Sequence, residues 1–337
     1  MTPADFIMPA EWERHQRCWM AWPCRESLWG SPAELEKARA AYASVANAIA
    51  RFEPVTMVAR PEHRADVRKA CGSGVQVKDY AIDDSWLRDT GPSFVRDARG
   101  HLSGVAWRFN GWGGKYQPHN RDASFAASLL EDLGLPCLKA PMVAEGGAIH
   151  VDGEGTLLTT RQCLLNVNRN PGMAQSDIER ILGEFLGVRK IIWLNEGLSG
   201  DETDGHIDNV VCFAAPGKLI LQGCEDPADA NFRIAKDNHA LLAEETDAAG
   251  RRFEIIRLPL PGPRFDAHGK RLTLSYVNYY VANGGIIMPS FDDPADARAR
   301  DILAAAFPGR RTIQTPALDI VAGGGGIHCI TQQMPEI

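Results

Sequence analysis

The residues of this chain that could do chemistry are a glycine-cradled cysteine, two histidine–aspartate pairs and two groups of acids beside glycines. Near the end, Gly323 to Gly326 lead through Ile327 and His328 to Cys329. Successive glycines leave little bulk around the backbone, so a ligand can approach a thiol presented there, and the chain can take turns closed to other residues. Upstream, Asp204, Gly205, His206, Ile207 and Asp208 set an imidazole and a carboxylate two apart. On an extended strand both would lie on one face. His150 and Asp152 repeat that spacing. Gly205 and the neighbouring acids favour His206 and Asp208 for chemistry and leave the other pair a structural role. A thiol, an imidazole and paired acids supply the nucleophile, base and substrate-holding groups of thiolate catalysis. For the Cys329 segment alone, the alternative is a glycine-rich turn beside an ordinary buried cysteine.

Two further segments join these. Asp83, Asp84 and Asp89 flank Trp86, and a flat delocalised cation suits that company. The indole face offers cation–π attraction, and carboxylates make paired charge-assisted bonds. The alternative is a core tryptophan with Asp89 paired to Arg88. Glu145, ahead of Gly146 and Gly147, would either orient a base or bond to turn amides.

At 337 residues and 45% hydrophobic, the chain can bury a large core, and a single domain over residues 1–337 is expected. The net charge of −7 argues against nucleic-acid or anionic-membrane partners, which require a basic face, and suits a cationic substrate. The eight cysteines form no Cys-x-x-Cys pair, so structural zinc and thioredoxin-type sites are not expected. Met1 to Asp5 lack the basic start of a signal peptide, and no apolar run approaches the roughly 18 residues of a membrane helix. A cytoplasmic protein with reduced cysteines is the expectation.

Elements must then position these residues. Amphipathic helices are predicted at roughly 33–51, 119–133, 174–187, 229–247 and 292–306, from apolar spacing such as Ile178, Ile181, Leu182 and Phe185. A strand-like run follows each, at 54–60, 135–141, 188–195, 252–259 and 311–317. The first gap between units is the longest, which implies an insertion in the first repeat. Strand, loop, strand pair and helix recur, so five units could close radially into an α/β propeller with the site loops at its axis. A two-domain doubly wound fold is the competitor. The fourth loop, 264–280, offers no obvious catalytic group.

The segments DDSWLRDTGP, EGGAIHVDGEGTLL, DETDGHIDN and GGGGIHCITQQ, with MPAEWERHQRCWMAWP and NGWGGKY, closely resemble the agmatine deiminases. That family, related to peptidyl-arginine deiminases, belongs to the guanidine-modifying superfamily with the five-bladed α/β-propeller (pentein) fold, and the likeness runs from Met8 to Gln333. The resemblance implies that Cys329 is the nucleophile and His206 the general acid and base. It implies that Asp89 and Asp208 hold the guanidinium, that Trp86 and Gly326 line the pocket, and that Glu145 supports the site. The implied reaction converts agmatine to N-carbamoylputrescine and ammonia through an amidino-cysteine, in polyamine metabolism, with no metal and no cofactor. Two positions depart from the family pattern, which commonly has Asn at Gly326 and Ser at Ala148, and this bears on substrate preference.

Asp83, Asp84, Asp201, Glu202 and Asp204 could pair the distal ammonium of agmatine, whereas no motif-loop cation apart from Arg88 would meet an arginine carboxylate. The rivals are peptidyl-arginine or other guanidine deimination, amidino transfer to an amine, non-catalytic cation binding, and a two-metal guanidinohydrolase using His150, Asp152, His206, Asp208 and His328. Propellers of this size often pair, so a homodimer is an expectation too.

Overall fold

In the computed structural model, which describes residues 6–336, every predicted helix and its following strand form. The helices are Pro32–Ile49, Asn120–Asp132, Gln175–Leu186, Asn231–Glu244 and Asp296–Ala306. Their strands are Val55–Ala59, Cys137–Val143, Lys190–Leu194, Glu254–Leu258 and Arg311–Pro316. The expected insertion in the first repeat is helix Arg64–Ala70 and strand Val75–Asp79. Met1 to Asp5, on which the leader expectation rests, lie outside the described residues. Among the described residues, no helix is long and apolar enough to cross a membrane.

Cα proximity divides the chain into two compact units. One comprises the residues up to Glu13 and Asp89–Arg257 and carries three sheets. In the first, Leu102–Arg108 pairs antiparallel with Ser93–Asp97 and parallel with Cys137–Val143. In the second, Thr156–Thr160 pairs antiparallel with His150–Val151 and parallel with Lys190–Leu194. The third joins Val211–Ala215, Lys218–Gln222 and Glu254–Leu258 in that order. A hairpin, a returning helix and a parallel third strand thus repeat.

Helix Gln175–Leu186 shows how sequence fixes this unit. Asp177 accepts the amide of Ala174 at 3.0 Å and starts it, and Gly187 ends it in the left-handed region at φ 70°. Its buried face, Ile178, Ile181, Leu182 and Phe185, packs with Val105, Met142, Leu157 and Trp193 in one core. Each such side chain contributes about 1.5–3 kcal/mol by leaving water. The hairpin turns share a device as well. Asp97, Asp152 and Asp247 each accept two amides, two and four residues on, around a left-handed glycine at the third position.

The other unit comprises Arg14–Arg88 and Leu258–Glu336 and carries two sheets. In one, His15–Ala21 pairs parallel with Val55–Ala59 and antiparallel with Thr331–Pro335. This pairing holds the chain immediately after Cys329 to the buried first strand. In the other, Gly285–Ser290 pairs antiparallel with Tyr280–Ala282 and parallel with Arg311–Pro316. Helix Pro32–Ile49 begins with proline in its first turn and Ser31 accepting the amide of Glu34.

Candidate active site

In the first unit, three of the sequence-predicted site residues converge on Gly147, and a fourth, Glu145, backs one of them. A Cβ built there would lie 2.6 Å from His206 Nδ1, 2.9 Å from Asp89 Oδ1 and 3.0 Å from Asp208 Oδ2. Only glycine leaves these groups their places. Gly147 also donates its amide to Asp89 Oδ1 at 2.9 Å, while Asp89 Oδ2 accepts the indole N–H of Trp112 at 2.8 Å. Each carboxylate oxygen has a second lone pair, so Asp89 keeps capacity for a bound donor. Glu145 is fully buried on the far side of the imidazole, its Oε2 3.6 Å from His206 Nε2. The other ring nitrogen lies 3.8 Å from Asp89 Oδ1.

His206 and Asp208 do not reach this place along a strand, as their spacing predicts. Asp204 and Gly205 are both left-handed, at φ 65° and 85°, His206 is extended, and Ile207–Asn209 forms a 3₁₀ turn. The side chains converge because the backbone folds back between them. Asp201 holds the turn, accepting from Thr203 and from the amide of His206.

The electrostatics follow from burial beside opposite charge. Burial alone would push the His206 pKa down, but Asp89, Cys163 and Glu145 together hold it well above the ordinary imidazole range. The shift favours the imidazolium, the form competent to donate a proton. Burial raises Asp89, with Asp208 and Glu145 adding to the effect and His206 opposing it. Burial would raise Glu145 too, but His206 and the Arg169 guanidinium outweigh it and keep that carboxyl below its usual range.

Three contributors here were not singled out in the sequence. Trp112 donates to Asp89 from a left-handed conformation, φ 54° and ψ 49°, within the NGWGGKY segment. A bulky residue amid three glycines is the signal that could have marked it. Arg169 is buried, bonding Glu145 at 2.7 Å, Asp204 at 2.8 Å and the carbonyl of Thr203 at 2.9 Å. It ties Glu145 to the loop that carries His206. Cys163 lies 3.9 Å from Glu145 Oε2. Glu145, Cys163 and His206 offer ligand atoms within 4.8 Å of one another, yet Arg169 already neutralises Glu145 and opposes a cation there.

Most of the acids proposed for a distal ammonium are engaged. Asp204 pairs with Lys115 at 2.7 Å and with Arg169, and Glu202 accepts the phenol of Tyr116 at 2.5 Å. Lys115 is also a cation in this loop set, which corrects the expectation that only Arg88 could meet a carboxylate. His150 and Asp152 sit apart from this arrangement in the described contacts. His150 Nδ1 accepts the amide of Phe213, and Asp152 closes its hairpin turn.

In the second unit, Cys329 is buried beneath Trp86 and the glycine run. The glycines do not leave open space there. A Cβ at Gly323 would meet Trp29 at 2.3 Å, one at Gly325 would meet Trp86 at 2.6 Å, and one at Gly326 would meet Asn278 Oδ1 at 2.4 Å. The run is thus a bed for three side chains. Trp86 stacks on Trp29 with centroids 6.2 Å apart and meets the edge of Tyr42. Asp84, beside it, pairs with Arg25 at 2.8 Å. Arg88 is buried and anchors the segment, its amide on the carbonyl of Cys329 and its Nε on that of His328. The fourth loop does contribute a group. Asn278 donates from Nδ2 to Cys329 Sγ at 3.2 Å.

Comparison with known proteins gives this arrangement a setting. The sequence pattern of the Porphyromonas-type peptidyl-arginine deiminases matches residues 7–335. An agmatine deiminase of Pseudomonas aeruginosa (strain LESB58) is 45% identical over 356 residues, covering 98% of this chain and 95% of that one. The solved agmatine deiminase of Enterococcus faecalis superposes with a TM-score of 0.95 at 34% identity, over 99% of this chain and 98% of that one. A substrate-bound variant of the C. jejuni agmatine deiminase superposes with a TM-score of 0.91 at 27% identity, over 98% and 96%. The fold class expected from the sequence, an α/β-propeller of the guanidine-modifying superfamily, is the one these proteins share.

Proposed function

The chain belongs to the Porphyromonas-type peptidyl-arginine deiminase family, and from that premise we propose that it hydrolyses agmatine to N-carbamoylputrescine and ammonia. The observation that carries the reading is the convergence of Asp89, His206 and Asp208 on Gly147, where two carboxylates and an imidazole are held without room for a side chain. Guanidinium carbon is electron-rich and a poor electrophile, so the cation must be fixed and met by a strong nucleophile. Asp89 and Asp208 accept the guanidinium N–H groups and orient the carbon. The Cys329 thiolate forms a C–S bond to give a tetrahedral adduct. His206 gives its proton to the departing nitrogen, the C–N bond breaks, and ammonia leaves an amidino-cysteine. Water then attacks the same carbon and passes a proton to His206. Collapse of the hydroxyl to a carbonyl breaks the C–S bond, returning the thiolate and releasing the ureido product, and the hydroxyl proton leaves to solvent, where the ammonia takes it up.

Trp86 and Gly326 shape the surroundings of Cys329 in this reading, and Glu145 sustains the charged form of His206. Because most nearby acids are already paired, the preference for agmatine over arginine rests on the relatives rather than on free carboxylates. The reading also takes residues 1–337 as one domain acting in a reducing cytoplasm, with a homodimer as its assembly. The test is intact-protein mass spectrometry of the enzyme quenched during turnover with agmatine, alongside Cys329→Ser. An amidino adduct mapped to Cys329, and ammonia release below roughly one percent in the variant, are expected, because a serine hydroxyl is far less ionised than a thiol. Ammonia released in step with urea-free N-carbamoylputrescine excludes both the guanidinohydrolase and the transferase. Ammonia release by Cys329→Ser above that level overturns the covalent route.

A further inference from the structure

We propose that Asn278 is the positioning residue of the nucleophile: its carboxamide orients Cys329 Sγ and stabilises the thiolate, and Gly326 exists to admit it. The proposal rests on Cys329 being the nucleophile. Asn278, His328 and Cys329 are all buried. Asn278 Oδ1 accepts the amide of His328 at 2.8 Å and that of Cys329 at 3.4 Å. Those two donors fix which end of the carboxamide is oxygen, since an NH₂ group accepts neither. Nδ2 is thereby turned to the sulfur, at 3.2 Å, and Oδ1 lies 3.5 Å from it.

The backbone of Asn278 is held as firmly. Its carbonyl accepts the amide of His328 at 3.2 Å, and its own amide reaches the carbonyl of Ser275 at 3.4 Å. The same residue thus grips His328 by main chain and side chain, one position before the thiol. An N–H directed at sulfur favours the charged form over the neutral thiol, because the anion is the stronger acceptor. It also keeps Sγ in one rotamer, so that the lone pair used in attack is presented rather than searched for.

Gly326 is the other half of the device. A Cβ at 326 would stand 2.4 Å from Asn278 Oδ1 and 2.8 Å from its Cγ, closer than real side chains approach. Any other residue there displaces the carboxamide. The volume that a side chain at 326 would fill is taken by one delivered from the fourth loop.

The test is the pH dependence of iodoacetamide alkylation of Cys329 in substrate-free enzyme, read by peptide mass spectrometry, with kcat and KM for agmatine measured on the same samples. Asn278→Asp is isosteric but puts an acceptor and a negative charge where the donor was. It is expected to raise the alkylation midpoint by about one pH unit or more and to slow alkylation at neutral pH about tenfold. Gly326→Ala, which leaves Asn278 in the sequence, is expected to move the midpoint in the same direction. Both lower kcat more than they raise KM. Midpoints within about 0.3 unit of the parent in both variants overturn the proposal. Shifted midpoints in an enzyme that releases no ammonia from agmatine would sink the deiminase reading and leave the thiolate assignment standing.

Discussion

Two His-x-Asp pairs with one spacing have opposite fates in this molecule. His150 lies on the short antiparallel strand His150–Val151, opposite Leu158, and Asp152 opens the turn just after it. The histidine accepts a backbone amide from Phe213 and packs on that ring at 5.8 Å, and the aspartate takes two amides of its own turn. The other ring nitrogen of the histidine stands 3.6 Å from Glu11 Oε2, so this pair has one carboxylate neighbour beside its backbone donors. His206 instead follows two left-handed residues, and Asp208 lies within the 3₁₀ turn Ile207–Asn209 that comes after it. The neighbours of the His206 ring are Asp89 and Glu145, two carboxylates, and Asp89 in turn accepts the Gly147 amide. Identical spacing therefore says little; the two residues before the histidine decide whether it is spent on the backbone or kept for a ligand.

That contrast can be broken most directly at the imidazoles. His206→Ala is expected to lower kcat about 10⁴-fold, since one group serves both as acid and as base. His150→Ala is expected to leave turnover of the folded enzyme within about threefold while lowering unfolding free energy by roughly 1–3 kcal/mol, as the Phe213 amide loses its acceptor. Steady-state ammonia release and urea denaturation separate the two. Comparable kinetic losses would erase the distinction.

The aspartates sharpen it at a smaller scale. Asp89→Asn and Asp208→Asn should each cost about 10³-fold in kcat/KM, the consequence of removing one partner of a buried charge pair worth about 3–5 kcal/mol. Asp152→Asn, which keeps a side-chain oxygen for the turn, should cost about 1 kcal/mol of stability or less and no activity. A loss below tenfold for either site aspartate would mean that another acid holds the guanidinium.

The smallest effect is in pH. The His206 pKa is raised in the folded protein, so its stability contribution is complete below the ordinary value of about 6.5 and disappears as pH rises through the raised value. The acid form needed for ammonia departure is lost over the same interval. Of the groups around the ring, Asp89, Asp208, Glu145 and Cys163, Glu145 is the one bonded to a cation rather than to the proposed substrate. Glu145→Gln should therefore move the alkaline limb of the kcat profile to lower pH by about one unit. An unmoved limb assigns that ionisation to a different group.

Much of this was legible in residues. The helix Gln175–Leu186 and the strand after it announce themselves by a 3.6 period followed by a short apolar run, and four other pairs do likewise. Cys329, Asp89, Glu145, His206 and Asp208 stand out as reactive types beside glycines. Asn278 does not, because a neutral amide in the loop 264–280 is no obvious catalytic group, and its partner is 51 positions away. Arg169 is hidden in the same way, since a surface charge and a buried one look alike until the acid that meets it is placed. The structural fate of Asp152 was available, in the glycine three residues on that recurs after Asp97 and Asp247.

The left-handed run Gly111, Trp112, Gly113 and Gly114 has a consequence for how this protein can drift through mutation. A non-glycine residue in that conformation costs roughly 1–2 kcal/mol, and here the cost falls on the residue whose indole grips Asp89. Neighbours cannot share it. A Cβ at Gly111 would strike the carbonyl of Tyr116 at 2.5 Å, and one at Gly113 would strike Asn168 at the same distance. Single substitutions on either side of Trp112 thus fall into a fitness valley, whereas the aromatic itself can be exchanged for another residue at little backbone cost. Inherited variation in this segment is channelled into the one position that touches the anion, so changes in what the site accepts are more accessible than changes in how the loop is built.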